Sequence, residues 1–102
     1  MRVTLTRVAT RQLQAIFAYT ADENPIAAQR VVERVEEIRR LLSENAEIGR
    51  KLQQRRLRWF PLTPFPYLIY YEVSGQTVRI VRIWHASRRR SALHEHLQPF
   101  RR

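Results

Sequence analysis

Two apolar runs, residues 67–73 and 78–84, flank the short segment Ser74-Gly75-Gln76. Both are rich in Val, Ile and Tyr, side chains that suit a pleated, half-buried surface. Gly75 supplies the positive φ that a tight turn between them needs. Together they specify a β-hairpin, and any fold for this chain must be built around it. Directly past the second strand come His85 and then Arg88, Arg89 and Arg90. A titratable imidazole beside fixed cations at a strand end is a place for chemistry or anion recognition.

The rest of the chain supplies partners for the hairpin. Residues 3–5 suit a short first strand. Thr6 or Thr10 can cap a helix over about 7–22, where Leu13, Ile16, Phe17 and Thr20 recur at helical spacing. Asn24-Pro25 then starts a second helix, since Asn is a favoured cap and Pro a favoured first helical residue. Ala28, Val31, Val32, Val35, Ile38 and Leu42 make a stripe along it, and Arg30, Glu33, Arg34, Glu37 and Arg40 lie elsewhere. This helix should stop near Asn45, with Gly49 marking the onward connection. Residues 50–56 read as a polar loop, 57–62 as a strand ended by Pro61 or Pro64, and 91–97 as a short terminal helix. The order β-α-α-β-β-β predicts an α+β fold. It has an N-terminal strand, an antiparallel helical hairpin and a three-stranded antiparallel meander completing one sheet, with the helices on one face. A chain of 102 residues fits one domain over 1–102.

Composition narrows the function classes. With no cysteine, disulfides and thiolate metal sites are excluded, which fits a reducing cytoplasm. The opening MRVTLTRVAT lacks the long apolar core of a secretory signal, and no apolar run approaches a membrane span. The formal net charge is +10, and Lys51 is the sole lysine. Residues 1–54 hold nine basic and seven acidic side chains, whereas residues 55–102 hold ten basic and two acidic. The C-terminal half is therefore the electrostatic footprint, suited to nucleic acid or an acidic protein segment. Arg binds carboxylate and phosphate bidentately, which Lys does not.

Several short motifs recur in a recognisable order. They are Leu5-Thr6 before the first helix, Tyr19 with Asn24-Pro25 and Ala27-Ala28 at the helix junction, and Ile48-Gly49-Arg50 after the second helix. Leu57-Arg58, the run from Pro66 to Tyr71, and Ile83-Trp84-His85-Ala86-Ser87-Arg88 complete the set. In this order the chain resembles the RelE/ParE superfamily of bacterial type II toxins, the ParE branch more than the RelE branch. The resemblance implies a small basic toxin, of the plasmid-stabilisation kind, in a hetero-oligomer with an antitoxin encoded nearby. Such an antitoxin wraps an extended or helical segment around the toxin. Apolar anchors on it should meet the sheet face or helix groove, and its acids the Arg-rich half. For the ParE branch the implied activity is inhibition of DNA gyrase by protein contact, with Arg88, Arg89, Arg90 and His85 as target contacts. For the RelE branch it is ribosome-dependent mRNA cleavage. A third reading is a non-toxic basic module that binds nucleic acid.

The catalytic assignment stays open among His85, Arg58 and Arg82. His85 can serve as general acid or phosphate contact. Arg58 or Arg82 can clamp a phosphate, and each can equally face solvent. Strict alternation puts Arg79, Val81, Ile83 and His85 on one face and Val78, Ile80, Arg82 and Trp84 on the other. His85 and Arg82 then point apart unless the strand is bulged. Glu72, the sole acid between Glu47 and Glu95, is an available base but better suited to pairing with an Arg across the sheet. Tyr67, Tyr70 and Tyr71 suit core positions better than base stacking, and Trp59 and Trp84 suit core or an antitoxin-binding surface. His94 and His96, two apart, diverge on a helix and make a poor metal pair. No metal and no cofactor is expected.

Overall fold

Capping residues divide the first half of the chain where the sequence places the breaks. The computed structural model describes residues 1–52 and 56–87. β1 (Arg2–Leu5) leads into α1 (Arg7–Glu23), whose first turn is capped by Thr6 Oγ1 accepting the Ala9 N–H at 3.1 Å. Asn24 closes α1 and opens α2 (Pro25–Glu44). Its backbone N–H donates to Thr20 O at 2.7 Å, and its side chain accepts the Ala27 N–H at 3.0 Å. One residue thus satisfies groups at two helix ends, with Pro25 in the position that needs no N–H donor. The result is a helical hairpin with no intervening loop.

The second half is strands: β2 (Arg50–Lys51), β3 (Leu57–Pro61), β4 (Tyr67–Ser74) and β5 (Thr77–His85). The sheet order is β1-β5-β4-β3-β2, antiparallel throughout except for β1, which lies parallel to β5. The expected meander is present as β3-β4-β5. At its turn Ser74 pairs with Thr77, and Gly75 has φ +59°. The segment 50–56 differs from the polar loop expected of it. Arg50 and Lys51 add a fifth strand against β3, and Leu52 is buried, its N–H donating to Leu57 O at 2.8 Å. Unpaired backbone at the edge of β3 recruits them, a force that apolar patterning does not report. The expected terminal helix over 91–97 lies outside the described residues.

β5 also departs from strict alternation. Tyr70 pairs with Arg82 and Tyr71 with Ile80, so Val81 is an extra residue, a β-bulge. Ile83 and His85 therefore share the face of Val78 and Ile80, and Arg82 and Trp84 the face of Arg79. His85 and Arg82 still point apart, because both lie beyond the bulge.

One face of the sheet packs on the helices. Val3, Ile69, Tyr71, Val78, Ile80 and Ile83 meet Ala9 and Ile16 of α1 and Val31, Val35, Ile38 and Leu42 of α2. Each large side chain so buried contributes about 1.5–3 kcal/mol. Phe17, expected in the α1 stripe, is 38% exposed instead, and Ala9 takes a core place. At 3.6 residues per turn Phe17 lies about 100° from Ile16, past the rim of the buried face. The opposite sheet face carries a smaller cluster of Leu52, Leu57, Tyr70 and Trp84, flanked by Trp59, Leu68 and Val81. Two α2 arginines tie the helix to β1 and to the connection between β3 and β4. Arg39 donates to Val3 O at 2.9 Å and Arg34 to Thr63 O at 2.7 Å.

Candidate functional site

His85 ends β5 as an exposed residue directly opposite Tyr67. The two rings meet edge to face, with centroids 5.3 Å apart and planes at 79°. The Ser87 backbone N–H donates to His85 Nδ1 at 3.0 Å, and Ser87 Oγ lies 2.8 Å from the same nitrogen. Ala86 N–H donates to Pro66 O at 2.7 Å and pins the turn to the start of β4. The basic run Arg88, Arg89 and Arg90, read as target contacts, lies outside the described residues, as do His94 and His96.

Arg82 stands on the sheet face opposite the helices and is only 9% exposed. It forms a direct cross-strand row with Tyr70 of β4, Trp59 of β3 and Arg50 of β2. The Arg50 guanidinium carbon sits 5.7 Å from the centre of the Trp59 ring, a cation–π arrangement. Arg82 Nη1 donates to Val81 O, the carbonyl of the bulge residue, at 2.9 Å. Burial pulls the Arg82 guanidinium below its ordinary pKa.

Arg58 takes a third direction. It pairs with Tyr71, a helix-side residue, and its Nη1 donates to Gly49 O at 3.0 Å and Glu47 O at 3.3 Å. Tyr71 works on the same segment from below. Its hydroxyl donates to Ala46 O at 2.8 Å and accepts the Gly49 N–H at 2.8 Å. Burial raises the Tyr71 pKa, outweighing the lowering by the Gly49 N–H and the Arg58 charge. A side chain at Gly49 would run into the Tyr71 hydroxyl, and its Cβ would lie 2.7 Å from Tyr71 Cε1 and 2.9 Å from Trp59 O. The segment between α2 and β2 is thus latched to the sheet by Tyr71, Arg58 and a close approach that only Gly permits.

The three catalytic candidates are accordingly not brought together. His85 is on the helix side at the end of β5, Arg82 on the opposite face, and Arg58 anchors backbone carbonyls. Glu72 pairs with Arg79 across β4 and β5 at 3.5 Å, as its isolation among cations suggests. Tyr70 and Tyr71 are core, at 1% and 0% exposure. Among the described residues no group of three His, Cys, Asp or Glu side chains could hold a metal ion, and no helix is long and apolar enough to cross a membrane.

A surface that sequence reasoning does not mark lies on the helical hairpin. Tyr19 and Ile26, on either side of the Asn24 junction, are 74% and 67% exposed, and Val8, Phe17 and Leu41 are exposed as well. For Val8, Tyr19, Ile26 and Leu41 the signal available in sequence is that they fall off the predicted stripes yet are large and apolar; Phe17 gave no such signal.

The family model for the ParE toxin of the type II toxin–antitoxin system parDE matches residues 3–90. Toxin RelE2 of Caulobacter vibrioides is 41% identical over 80 residues, 78% of this chain and 89% of that protein. The putative toxin Y4kP of Sinorhizobium fredii is 35% identical over 85 residues, 83% of this chain and 88% of that one. Among solved structures, one of the chromosomal ParDE toxin–antitoxin system from P. aeruginosa superposes with a TM-score of 0.72 at 26% identity, covering 83% of this chain and 95% of that chain. The YoeB/ParE toxin from Agrobacterium tumefaciens shares the fold, with a TM-score of 0.60 at 15% identity over 83% of this chain and 98% of that chain. The chain belongs to the ParE toxin family of type II toxin–antitoxin systems.

Proposed function

We propose that this ParE-family toxin is held silent by a cognate antitoxin and, once free, inhibits DNA gyrase through protein–protein contact in the cytoplasm. The observation that carries this reading is the family match over residues 3–90, together with likeness to a ParDE system at a TM-score of 0.72. The dispersal of His85, Arg58 and Arg82 supports contact over cleavage, because phosphoryl chemistry needs its charged groups converging on one phosphate. The exposed Tyr19 and Ile26 give an antitoxin helix or extended segment its apolar anchors. Acidic residues of the antitoxin complement the chain's net charge of +10. Arg88, Arg89, Arg90 and His85 are the proposed target contacts.

The test is induced expression without antitoxin, read by growth and by supercoiling with purified gyrase and toxin. Growth arrest with blocked supercoiling or trapped cleaved DNA is the expected result. Growth arrest with normal supercoiling would overturn the gyrase reading and move the weight to ribosome-dependent mRNA cleavage. Normal growth would overturn toxicity and leave an antitoxin-binding or nucleic-acid-binding protein. For the antitoxin surface, replacing both Tyr19 and Ile26 by Asp should weaken the toxin–antitoxin complex in calorimetry while leaving the fold intact by circular dichroism.

A further inference from the structure

We infer that His85 is a recognition residue that offers a fixed Nε2–H to an acceptor oxygen on its protein target, a carboxylate or carbonyl, and is not an acid–base group. This deepens the contact reading above and rests on it. A backbone N–H can only donate, so the Ser87 N–H at 3.0 Å requires a lone pair on Nδ1. The Ser87 hydroxyl lies 2.8 Å from the same nitrogen and, able to donate as well as accept, needs no proton on it. With Nδ1 held as acceptor, the ring's proton resides on Nε2. Tyr67 fixes the ring plane from one side, and the Ala86 to Pro66 bond fixes the turn beneath it. The ring itself remains exposed.

These contacts select one role. A general base needs a free lone pair on the outward nitrogen, and here that nitrogen carries hydrogen. A general acid poised by protonation would have to break the Ser87 N–H contact to form. A donor already oriented by the fold instead binds an acceptor without a further ordering cost. An ionised carboxylate is the strongest such partner.

The experiment uses the full chain in three forms: the natural protein, His85→Ala and His85→Gln. Glutamine keeps an N–H donor near the position of Nε2 but has no imidazole to titrate. Long-range ¹H–¹⁵N correlation spectra of the natural protein should show the Nε2–H tautomer at His85, assigned by its loss in His85→Gln. Potency, read by growth arrest and by affinity for purified gyrase, should fall roughly ten- to hundredfold in His85→Ala and be largely restored in His85→Gln. An Nδ1–H tautomer would overturn the inference, and so would a glutamine variant as deficient as the alanine one. If the toxin arrests growth without binding gyrase, the gyrase reading fails, while the alanine–glutamine comparison in growth still decides the role of His85. Titration with inorganic phosphate should leave the His85 signals unmoved. A shift there would overturn the protein-acceptor assignment in favour of a nucleic-acid phosphate.

Discussion

Replacing Tyr71 by Phe keeps the ring in the core and removes one hydroxyl. That hydroxyl donates to Ala46 O and accepts from Gly49 N–H, each at 2.8 Å, and both contacts are buried. Deleting it strips a partner from two backbone groups that sit where water cannot replace it. Each buried polar group so exposed to desolvation costs about 1–3 kcal/mol, offset in part because the hydroxyl itself no longer has to be buried, for a net loss of about 2–4 kcal/mol. That is a large share of the roughly 5–15 kcal/mol available to a domain of this kind. At about 4–8 °C per kcal/mol, the melting temperature should fall by roughly 8–32 °C. Urea titration of the purified toxin, followed by far-ultraviolet circular dichroism, measures the loss. Tyr19→Phe is the control, since an exposed tyrosine should change stability by less than about 0.5 kcal/mol. If Tyr71→Phe matches that control, the segment between α2 and β2 is not held by the hydroxyl, and the latch described above is refuted.

Three further outcomes test neighbouring parts of the structure. Gly49→Ala should destabilise by about 1–3 kcal/mol through overpacking, read by the same titration, and Gly49→Ala in a Tyr71→Phe background should cost less, since the nearest obstruction is gone. In alkaline solution the raised pKa of Tyr71 means that the folded chain holds its proton more tightly than the unfolded chain. The stabilisation is full below the ordinary tyrosine value of about 10 and is lost as pH rises through the higher folded value, so urea midpoints should drop there, and drop less in Tyr71→Phe. Glu72→Gln removes a partly exposed pair, so stability should change by less than about 1 kcal/mol, with growth arrest unaltered; lost toxicity with intact folding would restore Glu72 as a candidate base.

How far the fold could be read from sequence depends on where each decision is made. The helical hairpin was legible because Asn24-Pro25 is local chemistry, a cap and a first-turn residue acting within a few bonds. The β4–β5 hairpin was legible for the same reason, through Gly75 and two β-branched runs. β2 was not, because Arg50 and Lys51 are exposed and polar, and only the vacant edge of β3 makes them a strand. The bulge at Val81 was also hidden, since one extra residue leaves no mark on an apolar run. At the candidate site, His85 could be singled out by residue type alone. The fate of Arg58 and Arg82 could not, because both donate to backbone carbonyls, which every residue possesses. Tyr71, the last of three tyrosines in the β4 run, gave no sign that it reaches a loop 22 residues away.

The parallel pairing of β1 with β5 has a consequence for the order of events during synthesis. Thr6 contacts Val81 across 75 positions of chain, and among the described residues β1 has no other strand beside it. The helical hairpin can therefore form early while its floor is still missing. Until β5 emerges, β1 has nothing to pair with, and β4 presents an unmatched border to the cell. Such long-range closure is slow compared with helix formation. A chain interrupted before residue 77 would hold both described helices and yet lack the strand that joins β1 to β4. Ribosome-bound chains of increasing length, probed by limited proteolysis, should remain cleavable until β5 has cleared the exit tunnel, and then become protected in a single step.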